Sequence, residues 1–551
     1  MTSKPHAGGT SDFRALWFPV LIFFVFAVVF VMLRSKDFFT VDGAFRCFDV
    51  YRRSYLYFDV NNHLLFTTNV FVWTRFLSAL GIDLHAPLQY FRAVEVMNCL
   101  AGAGCLAILC SLFYEITSSW FWTLVGTLAY ALCKAFIAQA TSSNQPMVGV
   151  FWSFLALWLA VQFLKHKSLW LICMSGVIFA LALATYQSTI LLAFVVVLLL
   201  FLCRTEGTGD SYFDRSQILG LGSFVFSGFA VSAVIFGWAY SHMGFRGVGA
   251  MVRHFFWHEE SHAYLGISIS KILNVPIGML RSIFPILPVY NGIRGLRETG
   301  AITIVVFLLL AISVAGLSLS YGVLAWRWRI DLTRSERIGL ISAVVGFLFT
   351  LIPVFVYDPQ YDKLWIQPLA CFVMFWIVSL RALGRHPGTF VTLSKTISVF
   401  LLFGVSLNLV WVVKAHVREP FELNEAERAS RMIGSQDLLI GDWDQISVLC
   451  GSLWLDDNQF FSFTTAAETG GAEAVGRLQE LVSETAQRGG RVYFLSILDV
   501  SRPTWDSFIG DRWGVPYSSL NLYRERSSVR ATFKTRLGSV KLRELDVGAP
   551  Q

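Results

Sequence analysis

The chain is 551 residues long, 55% hydrophobic and 15% charged, with a formal net charge of +7. Soluble proteins of this size carry about a quarter charged residues, so this composition, with a mean hydropathy of +0.58, excludes a soluble globular class. It predicts a polytopic α-helical membrane protein, whose small positive balance reports loop orientation and gives no support to a nucleic-acid partner.

The first apolar run, Leu16 to Leu33, is long enough to span a bilayer. No small-residue cleavage site follows it, so it predicts a retained helix and not a signal peptide. The loop 35–88 after it is amphipathic, with short helices expected along the interface at 43–58 and 63–80. Further spans are expected at 91–114, 119–137, 148–164, 169–186, 188–203, 217–241, 301–325, 338–356, 364–380 and 396–415, giving about eleven.

Charge placement orients these spans. With the N-terminus in the cytoplasm, the inner loops carry Lys165, Lys167, Arg204, Arg215, Arg327, Arg329, Arg334, Arg337, Arg381, Arg385 and Lys395. The outer loops at 138–147 and 186–188 carry no Lys or Arg, and 357–363 carries only Lys363. Making 63–80 a full span would invert every later loop, so it is expected to lie along the outer face. The chain is then a plasma- or inner-membrane protein with its C-terminal region outside.

The composition changes abruptly at Arg418. A helix is expected over FELNEAERASRMI, a strand over DLLIGDWD, a helix over GAEAVGRLQELVSETAQ and a strand over RVYFLSILDV after Gly489-Gly490. Alternating strands and helices predict a small extracytoplasmic α/β domain, 417–551, following a transmembrane domain, 1–416. It has no GxGxxG or GxxxxGK, so nucleotide binding has no support. GDWDQ, from Gly441, combines acids and a Trp as sugar sites do, but strand-end turns carry such residues routinely.

Seven of the nine cysteines lie in apolar runs, where they act as small hydrophobes. Cys47 and Cys450 lie outside the spans, where a disulfide could join them. No CxxC suggests zinc or redox chemistry.

Chemistry concentrates between Phe38 and His63, a stretch holding Asp42, Asp49, Asp59, Arg46, Arg52 and Arg53 among many aromatic rings. Charges directly against a span are costly to keep dry and mark the interface or a site. Asp42, in VDGAFR, can act as a general base toward a hydroxyl, or can cap a helix starting at Gly43. Arg92 and Lys134 sit near outer span ends, Arg246, Arg253 and Arg281 in the 242–300 loop, and Lys363 in YDPQYDKLW. Such cations either bind phosphate or snorkel to the interface. Lys134 and Lys363 interrupt strongly apolar surroundings and rank highest. His258-Glu259-Glu260-Ser261-His262 matches HExxH, the pattern of two zinc-binding histidines around a general-base Glu. Glu260 puts a charge where such helices rarely have one, and no third ligand follows at the short spacing; the same residues could line a sugar cleft.

One span, then an outer loop with an early Asp-Gly, a basic aromatic helix and an Asn-His-Leu-Leu stretch, resembles the GT-C superfamily of lipid-phosphosugar-dependent glycosyltransferases. That superfamily includes protein O-mannosyltransferases and the aminoarabinose transferases of lipid A. The resemblance covers most of the membrane region in layout and rests on short motifs. It implies Asp42 as the catalytic carboxylate and a sugar donor on a polyprenyl phosphate. It implies a glycan, lipid or protein acceptor on the outer face. Arg46, His63, Arg92, Lys134, Arg253, His258, Glu259 and Lys363 are the substrate-binding candidates. The stretch His63-Leu64-Leu65 lacks the prolines frequent in the family. The next outer loop, ATSSNQPMVG, has Asn144 and Gln145 where many relatives have a second acid. Asp42 is therefore expected to act as a single base. No metal ligands and no cofactor are assigned, and a divalent metal is left open. Membrane lipids are the surroundings. The alternatives are a membrane zinc metalloprotease using 258–262, or a lipid-linked sugar transporter. A transporter would show paired half-repeats and mid-membrane charges, which this sequence lacks.

Overall fold

A computed structural model describes residues 10–34, 64–144, 146–202, 215–242, 247, 249, 269–284, 332–357, 359, 361–385, 389–416, 421–442, 445–456, 458–510, 513–535 and 538–546. The chain forms two compact units: one carries the first helix and Val94–Ala415, the other Thr74–Ala93 and His416–Gln551.

The described helices of the membrane region are α1 (Thr10–Leu33), α2 (Phe66–Ala79), α3 (Pro87–Thr117), α4 (Trp120–Ala131), α5 (Lys134–Ala140), α6 (Pro146–His166), α7 (Leu169–Thr185) and α8 (Ala193–Leu202). They continue with α9 (Arg215–His242), α10 (Ile269–Ile283), α11 (Arg334–Thr350), α12 (Ile352–Val356), α13 (Asp362–Gly384) and α14 (Thr389–His416). Five helices among the described residues are long and apolar enough to cross a bilayer: Leu88–Thr117, Pro146–His166, Ser216–Ser241, Arg334–Val356 and Asp362–Gly384. The chain is a multi-pass membrane protein. Shorter apolar helices occupy Trp17–Leu33, Leu169–Thr185, Gln187–Leu202 and Ser394–Val410.

Two expected spans take a different form. Residues 119–137, read as one span, are α4 and α5 bent by 69° at a break. The span expected from 188 opens with a 3-10 turn, Gln187–Leu192, before α8. Hydropathy is continuous through both breaks, which is why composition alone cannot see them. The helix expected at 43–58 and the span at 301–325 lie outside the described residues.

Helix pairs pack where small residues let backbones approach. Gly176 of α7 lies against Phe224, Ser227 and Gly228 of α9, and a Cβ there would strike the Phe224 carbonyl oxygen. The Ser227 hydroxyl donates to the Cys173 carbonyl at 3.0 Å across the same crossing.

Helix α13 packs on α11, α4, α5 and α10. Its 23 residues span about 35 Å at 1.5 Å each, enough for a bilayer core. It is charged at both ends. At the C-terminal end Arg381 and Arg385 both pair with Glu336, a fully buried carboxylate in the first turn of α11. Glu336 also completes a capping box: its carboxylate accepts from the Thr333 backbone N–H at 2.8 Å, and the Thr333 hydroxyl accepts from its own.

The C-terminal unit contains α15 (Phe421–Ser430), β1 (Leu438–Gly441), α16 (Gln445–Leu453), β2 (Phe460–Ser462), α17 (Phe463–Gly470), α18 (Glu473–Gln487), β3 (Val492–Leu495), β4 (Ser527–Thr535) and β5 (Gly538–Leu545). The sheet order is β2-β1-β3-β5-β4. Strands β1, β2 and β3 are parallel, and β5 runs antiparallel between β3 and β4. Every residue of β1 and β3 is buried, as befits central parallel strands covered on both faces. Trp505, Phe463 and Phe494 anchor the core. The strand expected over 491–500 is shorter, ending in a 3-10 turn at Ile497–Asp499.

Candidate functional site: a buried lysine–aspartate pair beside an apolar cavity

The break between α4 and α5 creates the site. Cys133 is extended, with φ −61° and ψ 134°, and the chain re-enters helix at Lys134. The α4 end exposes carbonyls, and Asn408 of α14 satisfies one: its amide donates to Leu132 O at 2.5 Å and to Ile283 O, at the end of α10, at 2.6 Å. Tyr130, fully buried, donates its hydroxyl to Ile366 O of α13 at 2.9 Å. Helices α4, α10, α13 and α14 are thus tied together around the break.

Lys134 is buried, and its ammonium meets the Asp362 carboxylate at 2.8 Å. Asp362 opens α13, where the helix dipole favours an anion. The Ser282 hydroxyl lies 3.5 Å from the other Asp362 oxygen. Arg281, beside it on α10, is also buried. Gly278 sets this arrangement: a Cβ there would run into the Pro359 carbonyl, so only glycine lets α10 approach the turn leading to Asp362. That same carbonyl accepts from the Trp365 indole at 2.8 Å.

Lys363 faces a tyrosine cluster. Its ammonium is 5.8 Å from the Tyr361 ring centre, and its backbone carbonyl accepts from the Tyr186 hydroxyl at 3.3 Å. Burial pushes the Tyr357 phenol pKa up, while the Lys363 ammonium draws it back. Lys271 donates to Val356 O at 2.8 Å nearby.

The same helices enclose an apolar cavity of about 250 Å³. Cys133 and Ile283, the neighbours of Lys134 and Ser282, line it, with Leu369 and Trp376 of α13 and Val405 of α14. A buried lysine and an apolar volume thus lie on neighbouring residues of the same helices.

A second polar network holds the turn after α5. Asn98 of α3 donates to the Ser142 and Asn144 carbonyls, both at 2.7 Å, and the Asn144 amide donates to Gln139 Oε1 at 2.6 Å. Asn144 thus closes the loop by hydrogen bonding where a carboxylate would need a counter-charge. One turn before Asn98, Glu95 is fully buried. It and Arg34, at the end of α1, are both within electrostatic reach of Cys99.

Of the expected site residues, Lys134 and Lys363 come together around Asp362, which adjoins Lys363 in sequence and pairs with Lys134. Arg92 is half-buried on α3, within the unit that holds Thr74–Ala93. Asp42, Arg46, His63, Arg253, His258 and Glu259 lie outside the described residues. Among the described residues no three His, Cys, Asp or Glu side chains converge as metal ligands would. In the tail, Asp442 of GDWDQ accepts from the Thr464 hydroxyl and ties the β1 end to α17. Asp362 and Glu95 are absent from the sequence-based candidates. The signal was present: each is an acid inside or against an apolar run.

No protein-family model matches the chain, and no curated protein matches it. Among solved structures it is similar to ArnT from Cupriavidus metallidurans bound to undecaprenyl phosphate, with 12% identity and a TM-score of 0.54, over 98% of this chain and 100% of that one. This chain has the GT-C fold. Two lower matches fall below the level at which a fold follows. They are apo ArnT from the same organism (15% identity, TM-score 0.47, 98% and 100% coverage) and an Archaeoglobus fulgidus oligosaccharyltransferase with zinc and sulfate (10%, 0.40, 95% and 72%). In the GT-C fold of this chain, Lys134, Asp362, Ser282 and the apolar cavity belong to the same compact unit.

Proposed function

We propose that the protein is a membrane glycosyltransferase that moves a sugar from a polyprenyl-phosphate donor to a glycan, lipid or protein acceptor on the outer face of the membrane. The observation that carries this reading is the buried Lys134, next in the chain to Cys133 of the apolar cavity's wall, in a fold shared with a protein solved with undecaprenyl phosphate. Lys134 takes the donor phosphate and the cavity takes the first isoprene units. Arg281 and Lys363, and from the sequence Arg46, Arg92 and Arg253, supply further positive charge. His63, His258 and Glu259 contact the sugar or the acceptor.

The chemistry needs little covalent help from the protein. The acceptor oxygen attacks the anomeric carbon, and the carbon–oxygen bond to phosphate breaks with its electron pair passing to the phosphate. Asp42 takes the acceptor proton. Attack from the face opposite the departing phosphate inverts the anomeric centre. A positioned base contributes about 10²- to 10⁴-fold. Cations around the phosphate stabilise the charge that develops there.

The charges of α13 support an orientation: Asp362 stands at one end and the Glu336–Arg381–Arg385 cluster at the other. With the arginine-rich end cytoplasmic, as the positive-inside rule favours, the Lys134 end of α13 faces outside.

Binding of undecaprenyl phosphate to the purified full-length protein in nanodiscs tests the reading. Saturable binding that weakens strongly in Lys134→Ala is expected. Binding unaffected by that change would remove Lys134 from the site, and no binding would overturn the donor class.

A further inference from the structure

The proposed reaction changes the charge on the lipid. The donor is a phosphodiester with one negative charge. The product is a phosphomonoester carrying about −1.5 to −2 at neutral pH, since its second pKa is near 6. A buried lysine that holds the donor therefore holds the product harder, and turnover would stall on product release. The structure contains an answer to this difficulty. Lys134 already has an anion, Asp362, at 2.8 Å.

Asp362 is held in a way that lets it yield. One of its oxygens is fixed by Lys134, while the other has, among the described residues, the Ser282 hydroxyl at 3.5 Å, beyond the range of a strong bond. Its side chain is 23% exposed, against 7% for Lys134. It also stands in the first turn of α13, where backbone N–H groups accommodate whichever anion is present.

We propose that Asp362 is a positioning residue acting through Lys134: a built-in counter-anion that the donor phosphate displaces on binding and that returns to expel the more highly charged lipid-phosphate product. This rests on the reading that Lys134 meets the lipid phosphate. Removing the Asp362 charge leaves Lys134 without its internal competitor. Affinity for the product rises while its release slows, so kcat and the apparent KM fall together.

The test is equilibrium binding of undecaprenyl phosphate, and of uncharged undecaprenol, to full-length protein in nanodiscs. Asp362→Asn is expected to bind the phosphate about tenfold tighter than wild type, the effect of removing one close charge. Undecaprenol binding should not change. Asp362→Glu, which keeps the charge, should stay near wild type, and the gain should vanish in the Asp362→Asn, Lys134→Ala double variant. Equal or weaker phosphate binding by Asp362→Asn overturns the proposal, as does a matching gain for undecaprenol. If Asp362→Asn does not fold, Asp362→Ser, which removes the charge with a smaller polar side chain, should tighten phosphate binding in the same direction; no change there overturns the proposal as well. Failure of wild type to bind undecaprenyl phosphate at all is a separate result, and it strikes the functional reading itself.

Discussion

The Asn408 amide donates to the Leu132 carbonyl at 2.5 Å across 276 residues of sequence. It also reaches Ile283 O, so one side chain closes the α4 end at the break beside Lys134 and the end of α10. Without that closure the α4–α5 bend would expose carbonyls to an apolar interior.

Asn408→Leu should therefore destabilise the protein by about 1–3 kcal/mol, the cost of leaving buried acceptors unpaired. Thermal unfolding of the purified protein measures this. A melting temperature equal to wild type would mean that other groups satisfy both carbonyls.

Gly278→Ala should displace the Tyr357–Asp362 turn, because its methyl group would meet the Pro359 carbonyl. The rigid partner is backbone, so accommodation costs about 1–3 kcal/mol. Loss of undecaprenyl-phosphate affinity larger than that of Gly237→Ala, whose Cβ meets nothing, is the expected outcome.

Glu336→Ala removes the shared partner of Arg381 and Arg385 and one half of a capping box. Breaking a buried pair costs about 3–5 kcal/mol, and the partial exposure of Arg385 puts the effect at the lower end. Lower expression and a lower melting temperature should appear, with donor affinity of the folded fraction unchanged, since the cluster sits at the far end of α13.

Asp42→Asn should reduce sugar transfer by about 10²-fold or more while donor binding and melting temperature stay near wild type. Single-turnover transfer with a purified lipid-linked sugar is the direct measurement. Retained activity would take Asp42 out of the chemistry and turn attention to Glu95, the buried carboxylate of α3.

The amino-acid sequence by itself determined the membrane class, the placement of most apolar helices and the α/β character of the tail. Each of these follows from composition or from a period of a few residues, and such signals are local. Lys134 and Lys363 also stood out unaided, because an ammonium in an apolar run is conspicuous. Only the tertiary structure decided that Lys134 answers to Asp362, 228 residues away, and that Asn408 permits the bend beside it. It likewise decided that β4 and β5 extend the sheet beyond β3. Hydropathy records how much a residue prefers oil to water. It carries no information on which distant partner will satisfy a buried charge or an open carbonyl, and in this protein those distant pairings build the candidate site.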